Sequence, residues 1–245
     1  MAELSVEELA QKLVSWIGDV VSGAGGKGVV LGMSGGVDSS VVAVLCQRAI
    51  PKATLGVILP CHSDKTDREH AELVAKKFNI SVEVVVLDKV FDTLAKVLPD
   101  RDFDAATKRS AESNIKPRLR MVTLYYFANR LNYLVAGSGN RSELSVGYFS
   151  KHGDGGVDFL PLGNLVKRQV RDLAMYLGIP KEIIDKPPSA GLWSGQTDET
   201  EIGLTYNELD HYLVTGEAEE KIKKKIDSMM NKCGHKRCFP PIPPL

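Results

Sequence analysis

A glycine-rich turn between a strand and a helix constrains this chain more than any other feature. The apolar run at 28–33 predicts a buried strand, the run at 41–45 predicts a helix, and residues 34–40 (SGGVDSS) join them. Backbone N–H groups at a helix N-terminus point outward without partners, and the helix dipole favours negative charge there. Glycines let a phosphate approach the backbone closely, and serine hydroxyls add donors. The turn is therefore predicted to bind an anion.

Asp38 is the one acidic residue in this predicted anion-binding turn. A carboxylate beside a phosphate repels it unless a cation lies between them, so Asp38 predicts Mg²⁺ at the site. The run from Gly32 to Gly36 also fits the G-x-S-x-G pattern of serine hydrolases, which leaves a hydrolase with Ser34 as nucleophile and His235 as base as an alternative. The glycine-rich run at 23–28 precedes the strand instead of following it, so it does not fit a dinucleotide-binding fingerprint.

Composition limits the classes of partner. Lysine plus arginine and aspartate plus glutamate both number 31, and this zero net charge argues against bulk binding to nucleic acid or a membrane. No apolar run approaches the roughly 20 residues that span a bilayer. The N-terminus lacks a signal-peptide shape, and four cysteines without such a signal are typical of reduced thiols, so a cytoplasmic protein is expected.

The C-terminal end carries two further motifs. Residues 233–238 (CGHKRC) supply at most three soft ligands without C-x₂-C spacing, so they are predicted to form a loop with incidental thiols, with a zinc site as the alternative. The proline-rich run at 240–244 is predicted to be a stiff extended end, with a polyproline ligand as the alternative.

Strand and helix patterns alternate along the first 140 residues. Apolar runs at 52–60, 82–87 and 133–137 predict three more strands, and helices are predicted from the capping box at Ser5, over 66–78 and over 105–131. This alternation predicts a doubly wound, mainly parallel α/β sheet with helices on both faces, in a single domain. Ligands bind such sheets at the carboxyl ends of the strands, where the turns at 34–40 and 137–143 both fall.

Strand signals stop beyond residue 140. Helices are predicted at 167–177, after Thr205 and at 217–232, whereas 186–201 has two prolines and reads as a functional loop. The predicted helix at 118–131 is apolar on almost every side, although a surface helix would show one apolar stripe. It is expected either in the core or in a contact between subunits.

The turn at 34–39 resembles the pyrophosphate-binding loop, Ser-Gly-Gly-x-Asp-Ser, of ATP pyrophosphatases that adenylate their substrates. Four more blocks extend the likeness: 114–121 (NIKPRLRM), 137–143 (GSGNRSE), 151–162 (KHGDGGVDFLPL) and 186–203 (KPPSAGLWSGQTDETEIG). In this order they resemble the NAD⁺ synthetase family over roughly residues 30–240. The resemblance implies a Rossmann-like ligase that joins deamido-NAD⁺ and ammonia with ATP through an acyl-adenylate, giving NAD⁺, AMP and pyrophosphate. Because the chain has no room for the glutamine-hydrolysing domain of some members, it resembles their ammonia-dependent form.

The resemblance also implies roles for individual residues. For ATP it implies the turn and three later residues, namely Gly32, Met33, Ser34, Gly35, Gly36, Val37, Asp38, Ser39, Ser138, Lys167 and Ser189. For deamido-NAD⁺ it implies Arg118, Tyr125, Lys151, Asp158, His235 and Lys236, although Tyr125 also fits simple core packing. It assigns Asp38 and Glu143 as Mg²⁺ ligands. Asp154 is expected to take a proton from the incoming ammonia, and Asp38 and Lys167 are the other expected catalytic residues.

Family members form homodimers with the dinucleotide across the interface, so the resemblance implies a homodimer here. Another adenylating amidotransferase or thiolase, acting on a base or on tRNA, and a nucleotide-sensing module are further alternatives. The neutral net charge argues against tRNA.

Overall fold

A four-stranded parallel sheet lies at the centre of the structure, a computed structural model that describes residues 4–99, 104–193 and 195–244. The strands are β1 (Gly28–Gly32), β2 (Thr54–Ile58), β3 (Ser81–Val84) and β4 (Tyr133–Ala136), in the spatial order β3-β2-β1-β4. All three pairings are parallel. The four predicted strands and the parallel α/β class are confirmed.

The described helices surround this sheet. In chain order they are α1 (Val6–Gly23), α2 (Val37–Ala49), α3 (Lys65–Phe78), α4 (Asp88–Val97), α5 (Ala105–Ser113), α6 (Ile115–Leu131), α7 (Arg141–Val146), α8 (Lys167–Leu177), α9 (Lys181–Ile184), α10 (Asp198–Ile202), α11 (Tyr206–Thr215) and α12 (Glu220–Lys232). A short 3₁₀ turn, Gly234–Lys236, follows α12.

Helices cover both faces of the sheet, as the doubly wound class requires. On one face α1, α2, α3 and α8 enclose the larger core, which includes the fully buried Ile17, Val41 and Leu173. On the other face α4 and α6 pack with the sheet around Val30 and Ala128. Because the helices flank the faces, the carboxyl edge of β1 and β4 is left for polar side chains.

A smaller core joins α7, α11 and α12 through Val146, Leu209 and Ile226. Helix α7 starts five residues after β4 ends, and α11 also contacts α8. The sequence beyond residue 140 therefore builds a helical layer beside the carboxyl edge of the sheet, although it adds no further described strand.

Several element boundaries differ from the sequence predictions. Helix α3 begins one residue early because Asp64, and not Thr66, is its cap; the Asp64 side chain accepts the Thr66 N–H at 2.9 Å. Strand β3 ends at Val84 and is exposed along its length. Helix α12 begins at Glu220, three residues later than predicted. Helix α4 was not predicted, because Leu87 precedes it without a side-chain cap.

Helix α6 packs one apolar face in the core and leaves another apolar face exposed in the single chain. Leu124 and Ala128 pack against the sheet, whereas Val122 is 60% exposed and Tyr126 is 54% exposed. Pro117 lies in the first turn of α6, where it breaks no helical hydrogen bond, and Asn114 separates α5 from α6. The predicted helix is thus confirmed as two segments, and its second segment has one buried and one exposed apolar face.

The C-terminal motif at 233–238 is a short turn. Cys233 is buried with Sγ 3.4 Å from the carbonyl oxygens of Ser145 and Met230, and Cys238 is exposed. Within the described ranges no group of three or more histidine, cysteine or acidic side chains is arranged to hold a metal ion. Among the described helices, none combines the length and apolar character that a bilayer crossing requires.

Candidate active site

The predicted anion-binding turn joins β1 to α2, with Gly36 as the residue that precedes the helix. Gly35 has φ of +77°, and a Cβ built on it would lie 2.1 Å from the carbonyl oxygen of Asp67. Both the backbone angle and the contact require glycine at this position. The turn is thereby held against the first turn of α3.

Hydroxyl groups brace the turn from within. Ser39 Oγ lies 3.0 Å from Ser34 Oγ and donates to the Gly36 carbonyl at 3.0 Å. Ser40 Oγ donates to the same carbonyl at 2.8 Å. Met33 and Val37 are buried, so they offer a ligand their backbone and not their side chains. The described contacts of Ser34 pair it with Ser39 and the Gly36 N–H, not with a histidine base.

Lys167 joins the two predicted metal ligands. Its Nζ lies 2.5 Å from Asp38 Oδ2 and 3.1 Å from Glu143 Oε1. Asp38 follows β1 and Glu143 follows β4, and these strands are neighbours in the sheet. The two carboxylates thus converge on one positive charge, which is the arrangement that a divalent cation between them would need.

The electrostatics of this cluster follow from burial and opposite charge. Burial raises the pKa of Glu143 to about 7, although the charge of Lys167 opposes the rise. Burial alone would lower the pKa of Lys167, but the attraction of Asp38 and Glu143 outweighs it and the pKa is raised. Lys167 therefore keeps its proton while it neutralises the buried carboxylates.

Asn140 and Ser142, which sequence reasoning missed, hold this cluster in place through four hydrogen bonds. The Asn140 side chain is fully buried and donates to Asp38 Oδ1 at 2.8 Å, and its Oδ1 accepts the Glu143 N–H at 3.0 Å. The backbone N–H of Lys167 donates to Ser142 Oγ at 3.0 Å, and Ser142 Oγ donates to Asp210 Oδ1 at 2.5 Å. The N-x-x-E spacing of 140–143 is a capping-box signal that could have indicated Asn140.

Asp198 and Tyr206 also reach the cluster, and both were missed. Tyr206 Oη donates to Asp198 Oδ2 at 2.9 Å and lies 3.3 Å from Glu143 Oε1. The Tyr206 ring centroid lies 5.0 Å from Lys167 Nζ. No local pattern places these side chains at the site, because their positions depend on how α10 and α11 pack against α7.

The other two predicted ATP residues lie on loops. Ser138 follows β4 and is half-buried, whereas Ser189 is exposed and its Oγ accepts the Gly191 N–H at 3.1 Å. An ion pair between Lys186 and Asp67 links the Ser189 loop to α3, against which Gly35 also packs. Ser194 of this motif lies outside the described residues.

Three of the predicted dinucleotide residues form a connected group. Arg118 donates from Nη2 to the Lys151 carbonyl at 3.3 Å, and Lys151 Nζ donates to the His235 carbonyl at 2.7 Å. These contacts bring together α6, the 150–156 turns and the C-terminal turn. The group lies near the surface, so its donors can exchange main-chain acceptors for a ligand.

Asp154 adjoins this group. Its Oδ1 accepts the Ser150 N–H at 2.9 Å, and Ser150 Oγ donates to the Asn114 side chain, whose backbone carbonyl accepts from Arg118 at 3.2 Å. Desolvation raises the pKa of Asp154, although the Ser150 N–H and the charges of Lys236 and Arg120 act in the opposite direction. A higher pKa makes this carboxylate a better proton acceptor.

The remaining predicted residues are engaged with the protein itself. Tyr125 Oη donates to Asp158 Oδ1 at 3.0 Å, and Asp158 Oδ2 accepts the Val135 N–H at 2.7 Å. Lys236 Nζ donates to the carbonyls of Gly147 and Phe149 at 2.7 and 2.9 Å. Within the described residues, no hydrogen bond or ion pair of Tyr125, Asp158 or Lys236 reaches the Lys167 cluster.

Comparisons with known proteins agree with this geometry. Residues 9–240 match the family model for NAD synthase. The chain is 49% identical over 239 residues to the NH(3)-dependent NAD(+) synthetase of Carboxydothermus hydrogenoformans, with 98% of each chain covered.

Two solved structures are also similar. The structure of NMN synthetase from Francisella tularensis is 36% identical with a TM-score of 0.92, covering 99% of this chain and 100% of that one. The NH3-dependent NAD synthetase from Campylobacter jejuni, solved with a nitrate ion, is 27% identical with a TM-score of 0.82, covering 98% and 100%.

Proposed function

The chain belongs to the NAD synthase family, and on that premise we propose that it amidates deamido-NAD⁺ with ammonia, using ATP, to give NAD⁺, AMP and pyrophosphate. The observation that carries this proposal is the convergence of Asp38 and Glu143 on Lys167, next to a glycine turn that can bind phosphate. The family match supports neither the serine hydrolase nor the other adenylating enzymes as alternatives.

The first step is adenylation of the nicotinate carboxylate. A carboxylate oxygen attacks the α-phosphorus of ATP, the α–β phosphoanhydride bond breaks, and its electron pair leaves with pyrophosphate. The N–H groups of the turn at 34–39 and the Lys167 ammonium stabilise the charge that develops on the departing group. Asp38 and Glu143 would hold Mg²⁺, which supplies charge neutralisation when bound.

The second step replaces AMP with nitrogen. Ammonia attacks the acyl carbon, the C–N bond forms, and AMP departs with the electron pair of the C–O bond. Asp154 accepts the proton that the nitrogen loses, because desolvation has raised its pKa above that of an ordinary aspartate. Arg118, Lys151 and His235 contribute to the dinucleotide site, and Arg118 offers a fork of donors that suits a carboxylate or phosphate.

The remaining family-implied binding residues are proposed to complete these two sites. Ser138 and Ser189 would donate hydroxyl hydrogen bonds to ATP. Tyr125 and Asp158 would contact deamido-NAD⁺ near the end of β4, and Lys236 would add a positive charge beside His235. Ser138, Ser189 and Asp158 lie on loops, and Lys236 ends the short turn after α12. Tyr125 lies within α6 and reaches these residues through its hydrogen bond to Asp158.

A homodimer is part of the proposal, because an apolar surface remains uncovered. Helices α4 and α6 contact each other and carry exposed apolar side chains, namely Val90, Leu94, Val97, Val122, Tyr126 and Leu131. Burying such a surface against a second copy of the chain is favourable. A single synthetase domain is proposed because the family model spans most of the chain, and four unpaired cysteines support a cytoplasmic location.

A second candidate substrate is nicotinate mononucleotide, favoured by the similarity to an NMN synthetase at a TM-score of 0.92. The chemistry at the reacting carboxylate is the same for both, and only the adenylyl half of the dinucleotide differs. Comparing kcat/KM for the two acids, with ATP and ammonium present, decides between them.

The test of the whole proposal is a product assay with ATP, deamido-NAD⁺ and ammonium, with and without Mg²⁺. Equal amounts of pyrophosphate, AMP and NAD⁺ are expected, and only when the metal is present. Release of ADP and orthophosphate, or no use of ATP with either acid, would contradict it.

A further inference from the structure

Tyr206, the first residue of α11, contacts Glu143 and Lys167 of the charged cluster, although the predicted roles leave it out. Its hydroxyl lies 2.9 Å from Asp198 Oδ2 and 3.3 Å from Glu143 Oε1. Its ring centroid lies 5.0 Å from Lys167 Nζ, within the range of a cation–π contact. Because a phenol has one proton, the two carboxylates share it, and Tyr206 links α7, α8 and α10 at one point.

Asp198, the other partner of the Tyr206 hydroxyl, has a second carboxylate oxygen that this bond does not use. Asp198 is only 4% exposed, and its buried Oδ1 accepts no hydrogen bond of ordinary geometry within the described residues, although the hydroxyl of Tyr148, which donates to Glu201 at 2.7 Å, also faces this carboxylate. A buried carboxylate with one unsatisfied oxygen is costly unless that oxygen has a use in another state of the site. Lys167 is the nearby cation whose charge Asp198 attracts.

Exchange of the Lys167 ammonium for a metal ion would give the Asp198 oxygen such a use. Lys167 now lies between Asp38 and Glu143, where a metal ion would have to lie. A cation bound there displaces the ammonium, which would then be a buried charge without its two partners. The Tyr206 ring and Asp198 are the negative surfaces that remain beside it, so they can keep Lys167 inside the site and free to meet a phosphate.

We propose that Tyr206 and Asp198 are positioning residues: together they retain Lys167 when a metal ion takes its place, and the Tyr206 hydroxyl orients Glu143 toward that ion. This inference rests on the proposed function, since it assumes a divalent ion with ATP at Asp38 and Glu143. It gives roles to Asp198 and Tyr206, two residues of α10 and α11 to which the family resemblance assigned none.

The test compares Tyr206→Phe with Tyr212→Phe. Tyr212 is a matched control, because it lies on the same helix and its hydroxyl donates to Asp227 at 2.6 Å, in the same kind of bond but in the α11–α12 core. Metal binding is measured directly by electron paramagnetic resonance of Mn²⁺, in the presence of α,β-methylene-ATP, which cannot be cleaved. Tyr206→Phe is expected to weaken Mn²⁺ binding roughly tenfold, as loss of a partner of a metal ligand does, and Tyr212→Phe to leave it unchanged.

Asp198→Asn provides a second route to the same conclusion. If Tyr206 and Asp198 act as one unit, the double variant is expected to lose no more Mn²⁺ affinity than the weaker-binding single variant. The KM for deamido-NAD⁺ is expected to stay within about twofold of the wild-type value, because neither residue touches the Arg118 group.

Equal Mn²⁺ affinity of Tyr206→Phe and wild type would overturn the inference, as would independent, additive losses in the two variants. If Tyr206→Phe fails to fold, Asp198→Asn and its comparison with Tyr212→Phe decide alone. Failure of the proposed function has a different signature, since wild-type protein would then release no pyrophosphate from ATP with either acid.

Discussion

The two halves of the site differ in how much of their chemistry is already assembled. On the proposed ATP side, the buried Lys167 is paired with the half-buried Asp38 and Glu143, and hydrogen bonds among its hydroxyls hold the glycine turn in place. On the dinucleotide side, Arg118 and Lys151 donate to main-chain carbonyls near the surface. The first half is preorganised around charge, whereas in the second half, under the proposed function, Arg118 and Lys151 would exchange their present main-chain partners for substrate.

This difference follows from where each half lies in the fold. The ATP side grows from the ends of two adjacent buried strands, so the sheet fixes its geometry. The dinucleotide side is built from α6 and two loops, which contact each other through single hydrogen bonds. In the proposed reaction, the rigid half would serve adenylation, the step that develops the most charge. The half built from loops would adjust its hydrogen bonds to bind deamido-NAD⁺.

Lys167→Met is expected to lower activity the most, because it removes the central charge of the ATP side. It removes the described cation that pairs with two half-buried carboxylates, and the cost of about 3–5 kcal/mol for unpaired charges that are fully buried is the upper limit here. We expect pyrophosphate release to fall roughly 10³-fold and Tm to drop. Calorimetry with and without Mg²⁺ measures the second effect, because a metal ion should restore part of the lost stability. Lys181→Met, at an exposed site, is the control.

Asp154→Asn separates the two chemical steps. The amide keeps the hydrogen bond from the Ser150 N–H but cannot accept a proton, so amide formation should fall roughly 100-fold. Adenylation, followed by ATP–pyrophosphate exchange, should change little. Equal loss of both activities would show that Asp154 acts on the site as a whole and not on ammonia.

Val122→Glu tests whether the dinucleotide side of the site depends on a second copy of the chain. Val122 is exposed in the single chain, so the charge should not unfold it, but it should break the proposed dimer. Losing contacts worth about 2 kcal/mol would raise the KM for deamido-NAD⁺ roughly 30-fold while Mn²⁺ and ATP binding stay intact. Light scattering gives the oligomeric state, and Val214→Glu, exposed on α11, is the control. A wild-type monomer at micromolar concentration would contradict the dimer.

Arg118→Lys is expected to have the smallest effect. Lysine keeps the charge but loses the planar fork, so the KM for deamido-NAD⁺ should rise about tenfold and the KM for ATP should not change. An equal rise in the KM values for deamido-NAD⁺ and ATP would mean that Arg118 serves both sides of the site. The proposed difference between the two sides would then be wrong.

Within the charged cluster of Asp38, Glu143 and Lys167, sequence reasoning found the residues that follow strands and missed those that lie on later helices. Asp38 and Glu143 each follow a recognisable strand, and parallel strands bring their carboxyl ends to one edge, so their convergence could be predicted. Asp198 and Tyr206 lie on short helices whose placement depends on side-chain packing in the α7–α11–α12 core. No periodic pattern encodes that packing. Helix α4 was missed because it lacks a cap and none of its residues is buried.

The pairing of β1 with β4 has a consequence for biosynthesis. Gly28 lies opposite Tyr133 and Leu31 opposite Ala136, so adjacent strands are separated by about a hundred residues of chain. While the chain emerges from the ribosome, the turn at 34–40 is made long before Glu143. One edge of β1 stays open during that interval and is a site for mispairing with other nascent chains. The pairing of β1 with β4 must therefore wait until the later strand has been made.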